Sequence, residues 1–364
     1  MLSLLKSKPQ QNTLRQLFNY QLGQGLTPIL GAVRPAQQAS LPRDFNFDAH
    51  LFHAQFGSSH YGVMIPDLPE PYRYLSFASV IAEPGAQITQ ASAKLSAYSP
   101  TDTATLVHST ALSTQAEAFR MYSVSQDLKF QQSPFRVDFA RDASLYEDAG
   151  IYRLVSALDD LKVDLSLTPT TALTWFAHSR WYQHFSLLMR YDGTISQQGH
   201  SVEVSGLCTL EHFKSASVSM LPKALGLQDI SLPLTSFSYQ VINLNAEEQL
   251  VLAFVGFAGQ PAYTSVNYRH IDGTSIQYDH AYFEVIASKT EPMITPDGHA
   301  MEVPQSFCWT AHHEGVKVLD IVAVMDTPMC YGLAAGYVSS YQWTGEFQQL
   351  KAQGRGYVEF IDRR

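Results

Sequence analysis

A phenol, an imidazole and a carboxylate held together can pass a proton near neutral pH, and this chain offers such a set in Tyr182, His184 and Glu211. The first two lie in WFAHSRWYQHFSLLMRYDG, residues 175–193, where tryptophans and histidines crowd a segment otherwise patterned as a strand. The third lies in HSVEVSGLCTLEHF, residues 200–213. Between them, Gln198-Gly199 is a two-residue turn signal. Such a turn sets Gln197 opposite His200, Ser186 opposite Glu211 and His184 opposite Phe213, and directly opposed residues share a face. Tyr182, His184 and Glu211 then share one side of the hairpin with Ser186, Arg190 and Glu203. Phe185, Leu187, Met189, Val204, Leu210 and His212 take the other.

Alternation makes the second side the core, so the polar side faces solvent or a cleft between domains. His212 is thus the better placed to touch a ligand inside a barrel, with Phe185, Tyr239 and Trp309 as further candidates for lining its site. Glu211 is the candidate proton donor, tuned by His184 or Tyr182, because burial raises a carboxyl pKa and keeps the acid form available.

Other chemistries find little support. On one unbroken strand, His178 and His184 stand six residues apart, roughly 20 Å at about 3.3 Å each, too far to share a metal. His312, His313 and Glu314 alternate between faces and make no preformed ligand set. Cys208, Cys308 and Cys330 match no metal or redox spacing and are expected as three buried thiols in a reducing compartment. There is no G-x-S-x-G context for a serine nucleophile, and Gly354 with Gly356 lacks the third glycine of a nucleotide loop. Neither metal nor cofactor is expected.

The positioning elements are strands. At 364 residues the chain exceeds the roughly 250–300 at which single cores stop growing, so two domains are expected. A net charge of −9 without any Lys/Arg run gives no footprint for a phosphate backbone and argues against a nucleic-acid partner. The start, MLSLLKSKPQQNTLRQLF, fails as a secretory signal, and no window approaches the roughly 18 apolar residues of a transmembrane span. A cytoplasmic location is expected, and nothing marks an oligomeric state.

Thr13–Leu22 carries Leu14, Leu17 and Phe18 at helical spacing, a short helix within an N-terminal extension, 1–44. Thereafter the period is two: Leu161, Val163, Leu165 and Leu167 alternate with Lys162, Asp164, Ser166 and Thr168. Asp192-Gly193, Gln198-Gly199, Asp272-Gly273 and Asp297-Gly298 punctuate such runs as turn signals. The segment Leu221–Ser236 is the candidate linker between domains at 45–222 and 232–364. Many antiparallel strands must hide their edges, so the fold expected is all-β: two tandem antiparallel barrels.

Three stretches carry a resemblance: GVMIPDLPEPYRYLSFASVIAEPG at 62–85, HSVEVSGLCTLEHF at 200–213 and GRGYVEFID at 354–362. With the barrel pattern, they resemble the tandem lipocalin-like superfamily of carotenoid 1,2-hydratases, AttH-type proteins and fungal Diels-Alderase relatives, most closely a bacterial branch of it. The resemblance implies lipocalin-like barrels from about Phe45 onward. It sets Glu211 and His212 on the Asp-His pair of the hydratases, whose aspartate protonates an isoprenoid double bond. Phe213, Lys214 and Thr209 depart from that motif. It also turns Glu211 inward where alternation turns His212 inward, a conflict that a β-bulge near Gly206 would reconcile. The function expected is binding or transport of a hydrophobic small molecule, lipid-like, fatty-acyl or isoprenoid-like, in a barrel or an inter-barrel cleft. The alternatives are acid/base hydration, isomerisation or cyclisation of an isoprenoid-like alkene, and a protein-interaction module.

Overall fold

The computed structural model describes residues 47–49, 56–89, 95–179, 182–217, 233–278 and 280–364. The helix expected at Thr13–Leu22 lies outside these residues, as does the expected linker up to residue 232. Leu234–Ser236 already belong to a strand.

The first sheet has eleven strands: β1 (Ser58–Ile65), β2 (Leu75–Ile81), β3 (Thr103–Ser109), β4 (Phe119–Ser123), β5 (Leu128–Gln131), β6 (Arg136–Phe139), β7 (Ala143–Asp148), β8 (Ile151–Leu158), β9 (Leu161–His178), β10 (Tyr182–Gln197) and β11 (His200–Ser215). Their spatial order is β4-β3-β2-β1-β11-β10-β9-β8-β7-β6-β5. The two edge strands are consecutive in the chain, joined by the one-turn helix Val124–Asp127, so the sheet curls into a nearly closed barrel. Alternation builds its inside. Leu161, Val163, Leu165 and Leu167 are buried while Lys162, Asp164 and Thr168 are exposed, and Tyr61, Phe77, Phe139 and Phe185 join the same core.

The second sheet comprises β12 (Leu234–Asn243), β13 (Glu248–Phe257), β14 (Gln260–His270), β15 (Ser275–Tyr278) and β16 (His280–Ser288). After the small β17–β18 pair (Met293–Ile294, Ala300–Met301) it continues with β19 (Pro304–His313), β20 (Val316–Met325), β21 (Cys330–Leu333), β22 (Gly336–Phe347) and β23 (Leu350–Asp362). Its order is β15-β14-β13-β12-β23-β22-β20-β19-β16, with β21 beside β22, a second nearly closed antiparallel barrel.

The two orders repeat one another. In each sheet the first strand pairs with the last, β1 with β11 and β12 with β23, and the last strand forms a long hairpin with the one before it. The hairpins match residue by residue: Tyr191 pairs with Gly206 as Trp343 pairs with Gly354, and in each case the aromatic ring covers the glycine. Five residues beyond those glycines stand Glu211 and Glu359.

The barrels abut through these hairpins. Met64, Tyr74, Ala78 and Val107, on the outer face of the first sheet, share one apolar cluster with Tyr239, Val358 and the inside of the second barrel. The polar face of the β10–β11 hairpin therefore has two fates. Arg190, Asp192 and Thr194 are exposed, whereas His184, Ser186 and Leu188 are buried under the second barrel.

Several expectations are corrected. Residues 175–193 are not one strand: β9 ends at His178, the chain turns with the Ser179 amide on the Tyr182 carbonyl at 2.8 Å, and β10 returns, so that His178 pairs with Gln183 beside His184. Asp192-Gly193 is mid-strand rather than a turn. No bulge occurs at Gly206, since β10 and β11 stay in step from Tyr182↔Ser215 to Gln197↔His200, with the Gln198-Gly199 turn as expected. The register shifts lie instead between β9 and β10. Of the three thiols, Cys208 and Cys330 are buried but Cys308 is only half-buried, on the outer wall of the second barrel. Gly354 and Gly356 lie beneath Trp343 and Tyr341, a packing role.

Gly193 has φ +147°, and a Cβ there would fall 2.1 Å from the Asp164 carbonyl oxygen. Gly193→Ala must therefore push β9 and β10 apart. We expect a loss of about 2 kcal/mol or more in urea unfolding followed by circular dichroism, whereas Gly199→Ala, whose Cβ meets nothing within 4 Å, should cost less.

Candidate active site at the barrel seam

Parity along β10 and β11 places Tyr182, His184, Ser186 and Glu211 on the face turned toward the second barrel. Glu211 is 2% exposed. His184 Nε2 donates to its Oε1 in a short hydrogen bond. With Nε2 committed to the carboxylate, Nδ1 is the nitrogen left for the Tyr182 hydroxyl, 2.9 Å away. A continuous relay thus runs from half-buried Tyr182 to a buried carboxylate. The other carboxylate oxygen, Oε2, is buried without a hydrogen bond of good geometry among the described residues, although the Tyr239 hydroxyl is near enough to favour the anion.

Aromatic rings wall the relay. Phe176, Tyr182 and Phe213 pack around the His184 ring with centroids 4.9–5.8 Å away, and Phe176 also meets Tyr239 edge-on. From β1, His60 stacks on Phe213. The second barrel supplies Tyr239, whose hydroxyl lies 3.2 Å from Ser186 Oγ. It also supplies Arg269, fully buried, which donates to the Ser186 carbonyl at 2.9 Å, to Ser186 Oγ at 3.0 Å and to Gln249. Glu359 stands directly opposite Tyr239 across the β12–β23 ladder. It accepts from the Tyr357 hydroxyl at 3.0 Å, which in turn meets Ser76 Oγ of the first barrel at 2.9 Å.

The two glutamates are driven apart electrostatically. Burial would raise the Glu211 pKa, but the charge and hydrogen bond of His184, followed by His60 and Tyr239, bring it below the ordinary 4.5. For Glu359, burial and then the Glu211 charge raise it well above 4.5 against the weaker pull of Tyr357. Burial lowers Arg269 to about 10, leaving it cationic at neutral pH, and lowers His60 to about 4, leaving it neutral. A carboxylate base and a neutral carboxylic acid thus occupy one seam, the pattern that separates acid and base roles.

The residues singled out in the sequence divide among three places. Tyr182, His184, Glu211 and Tyr239 meet at the seam. His212 and Phe185 point into the first barrel with Phe47 and Tyr61, where His212 Nδ1 donates to the His60 carbonyl at 2.8 Å. Trp309 is inside the second barrel, donating to Gln240 at 3.1 Å. His212, Phe185, Tyr239 and Trp309 therefore line no common site. Glu359, Arg269 and His60 escaped the sequence analysis. For Glu359 a signal existed in the shared spacing of Gly206 to Glu211 and Gly354 to Glu359; for Arg269 and His60 there was none. A surface groove of about 440 Å³, lined by Thr344, Glu346 and Lys351 among others, lies at the tip of the β22–β23 hairpin and holds none of these groups. No cluster of three or more metal-ligating side chains occurs among the described residues, and no described helix is long and apolar enough to cross a membrane.

These shifts predict opposite pH dependences. Glu211, depressed in the folded state, contributes stability that is present above its unfolded value, near 4.5, and lost as pH falls through its lower folded value. Glu359, raised, contributes stability that is intact below 4.5 and lost as pH rises toward its folded value. Glu359→Gln should therefore stabilise the protein by an amount that grows from about pH 5 to about pH 8. Glu211→Gln should cost on the order of 2 kcal/mol at neutral pH and progressively less in acid. Urea titrations across this range check both, and variant curves running parallel to the parent's would refute the assignment.

The fold has relatives among solved structures. A crystal structure of a candidate AttH protein from Nitrosomonas europaea aligns with a TM-score of 0.56 at 14% identity, over 91% of this chain and 98% of that one. Two crystal structures of CghA, one of them with Sch210972, align at 0.46 and 0.44 with 7% identity, over 91% of this chain and 96% of theirs. No curated protein matches the sequence. The first likeness shows a shared tandem-barrel fold. A family model covers residues 78–364, and the chain accordingly belongs to DUF6670, a family of unknown function.

Proposed function

We propose that the seam takes up a hydrophobic small molecule and that Glu211 acts on it as a general base, backed by His184 and Tyr182. The observation that carries this reading is Oε2 of Glu211, buried without a hydrogen bond of good geometry among the described residues and with only the Tyr239 hydroxyl close by. A buried carboxylate oxygen so poorly paired is costly, and a ligand's donor or acidic proton would satisfy it. With Oε1 already accepting from His184, Oε2 is the oxygen left to take a proton, and the contacts of His184 with Oε1 and with Tyr182 hold the carboxylate in place. The walls formed by Phe176, Phe213 and Tyr239 suit an apolar substrate.

The depressed pKa of Glu211 favours a base in place of the proton donor expected from burial alone. The inside of the first barrel is the weaker candidate, because Phe47 packs there against Phe135, Tyr152, Phe185 and His212. Binding without chemistry at the same seam is the remaining form of the carrier reading, and substitution of Glu211 separates the two.

Native mass spectrometry and titration with 1-anilinonaphthalene-8-sulfonate should reveal one hydrophobic guest per chain. Phe176→Ala and Phe213→Ala, both at half-buried positions, should each weaken binding about tenfold, or about 1.4 kcal/mol. Absence of any guest, or affinity indifferent to both substitutions, would remove the seam as a binding site.

A further inference from the structure

We propose that Tyr239 and Glu359 form an oxyanion-holding half of the seam site, opposite the Glu211 base, and that the substrate class is a hydrophobic ketone with an acidic α-hydrogen. This rests on the reading of Glu211 as a base. The placement comes from two ladders: Ser186 pairs with Glu211 on β10–β11, and Tyr239 pairs with Glu359 on β12–β23. The contact between Ser186 Oγ and the Tyr239 hydroxyl joins them across the seam. Tyr239 therefore stands between the two carboxyl groups, and Tyr357, anchored on Ser76, fixes Glu359 from the other side.

Glu211 has His184 as its partner, whereas no cation forms an ion pair with Glu359 among the described residues. Arg269 directs its donors to Gln249 and Ser186. Two neighbouring buried carboxyls with one such partner do not both ionise, so Glu359 retains its proton and is an O–H donor. A carboxylate base facing a phenol and a neutral carboxylic acid is the arrangement that stabilises an enolate. The fixed charge of Arg269 adds to it.

The step balances without a further reactant. The C–H bond α to the carbonyl breaks and its proton moves to Oε2 of Glu211. The electron pair becomes the carbon–carbon π bond of the enolate, and the negative charge settles on the carbonyl oxygen between the Tyr239 and Glu359 hydroxyls. When the proton on Oε2 is replaced by a deuteron from solvent before return to the same carbon, the result is hydrogen exchange. Return to the γ-carbon of a β,γ-unsaturated ketone moves the double bond into conjugation.

The test uses 2-naphthol as an oxyanion mimic and 2-tetralone as a ketone. Phenols titrate near 10, so free naphthol is neutral at about pH 7, and binding as the anion shows directly in its absorption spectrum. The parent protein should bind naphtholate and accelerate deuterium exchange at the tetralone α-carbon, followed by proton NMR. Tyr239→Phe and Glu359→Leu should each weaken naphtholate binding at least tenfold and return the bound probe to its neutral form. Glu359→Gln, which keeps a neutral donor, should restore binding to within about threefold. Glu211→Gln, by removing a like charge, should tighten naphtholate binding several-fold while abolishing exchange. Thermal melts of each variant establish that it is folded. Naphthol bound only in its neutral form, or indifferent to Tyr239 and Glu359, overturns the oxyanion assignment and leaves the seam as a binding site. Exchange that survives Glu211→Gln overturns the base. Failure of the parent to bind either probe overturns both readings.

Discussion

A carboxylate removed from water keeps its charge only where fixed partners replace the lost hydration, and the seam of this protein is organised around one such group. Glu211 is almost wholly buried, and moving an isolated anion to such a place costs several kcal/mol. His184 meets one oxygen, and the buried guanidinium of Arg269 acts on it from the second barrel. The surrounding titratable groups are correspondingly held neutral: His60 is lowered, while Tyr182, Tyr239, Tyr357 and Glu359 are raised. Concentrating the charge on one carboxylate keeps that group ionised, and so able to accept a proton, at neutral pH.

The tandem repeat accounts for how that group acquired a counterpart. Corresponding hairpins bring Glu211 and Glu359 to the same seam, yet their neighbours differ. The position of His184 beside Glu211 is taken by Gly336 beside Glu359, and Ser186 corresponds to Val338. In the adjoining ladder Gly62 opposes Glu211, whereas Tyr239 opposes Glu359. A duplicated scaffold with asymmetric decoration thus turns two equivalent carboxyls into an anion and an acid. At the rim, Arg355 pairs across the barrels with Asp67 and Glu70 while also holding Asp326 of its own barrel; such partly exposed pairs contribute little energy individually.

The carrier expectation followed from hollow barrels, and the interiors argue for a different location. Phe47 enters the first barrel among Phe135, Tyr152 and Phe185, and Trp309 packs with Phe283 and Phe307 in the second. Aromatic richness in the strands reflects core packing in both. The exposed-to-buried transition along β10 marks where a second surface covers a polar face, and chemistry concentrates there because polar groups face one another in a dry place.

The strand alternation at 161–168, the turn at Gln198-Gly199 and the facing pairs Ser186 with Glu211 and His184 with Phe213 followed from the sequence, because strand parity and a two-residue turn are local geometry. The all-β tandem-barrel class followed as well. The break between His178 and Tyr182 was hidden, since residues 175–193 contain no glycine or proline before Gly193 to mark it. Which side of the β10–β11 hairpin becomes a site was equally hidden, for alternation identifies an apolar and a polar face but not what covers the latter. Glu359, Arg269 and Tyr239 reach Glu211 only because residues 28 to 148 positions distant fold into a second barrel that docks on the first. Local periodicity fixes the direction of each side chain; only the packing of one sheet on another removes the water that decides its charge.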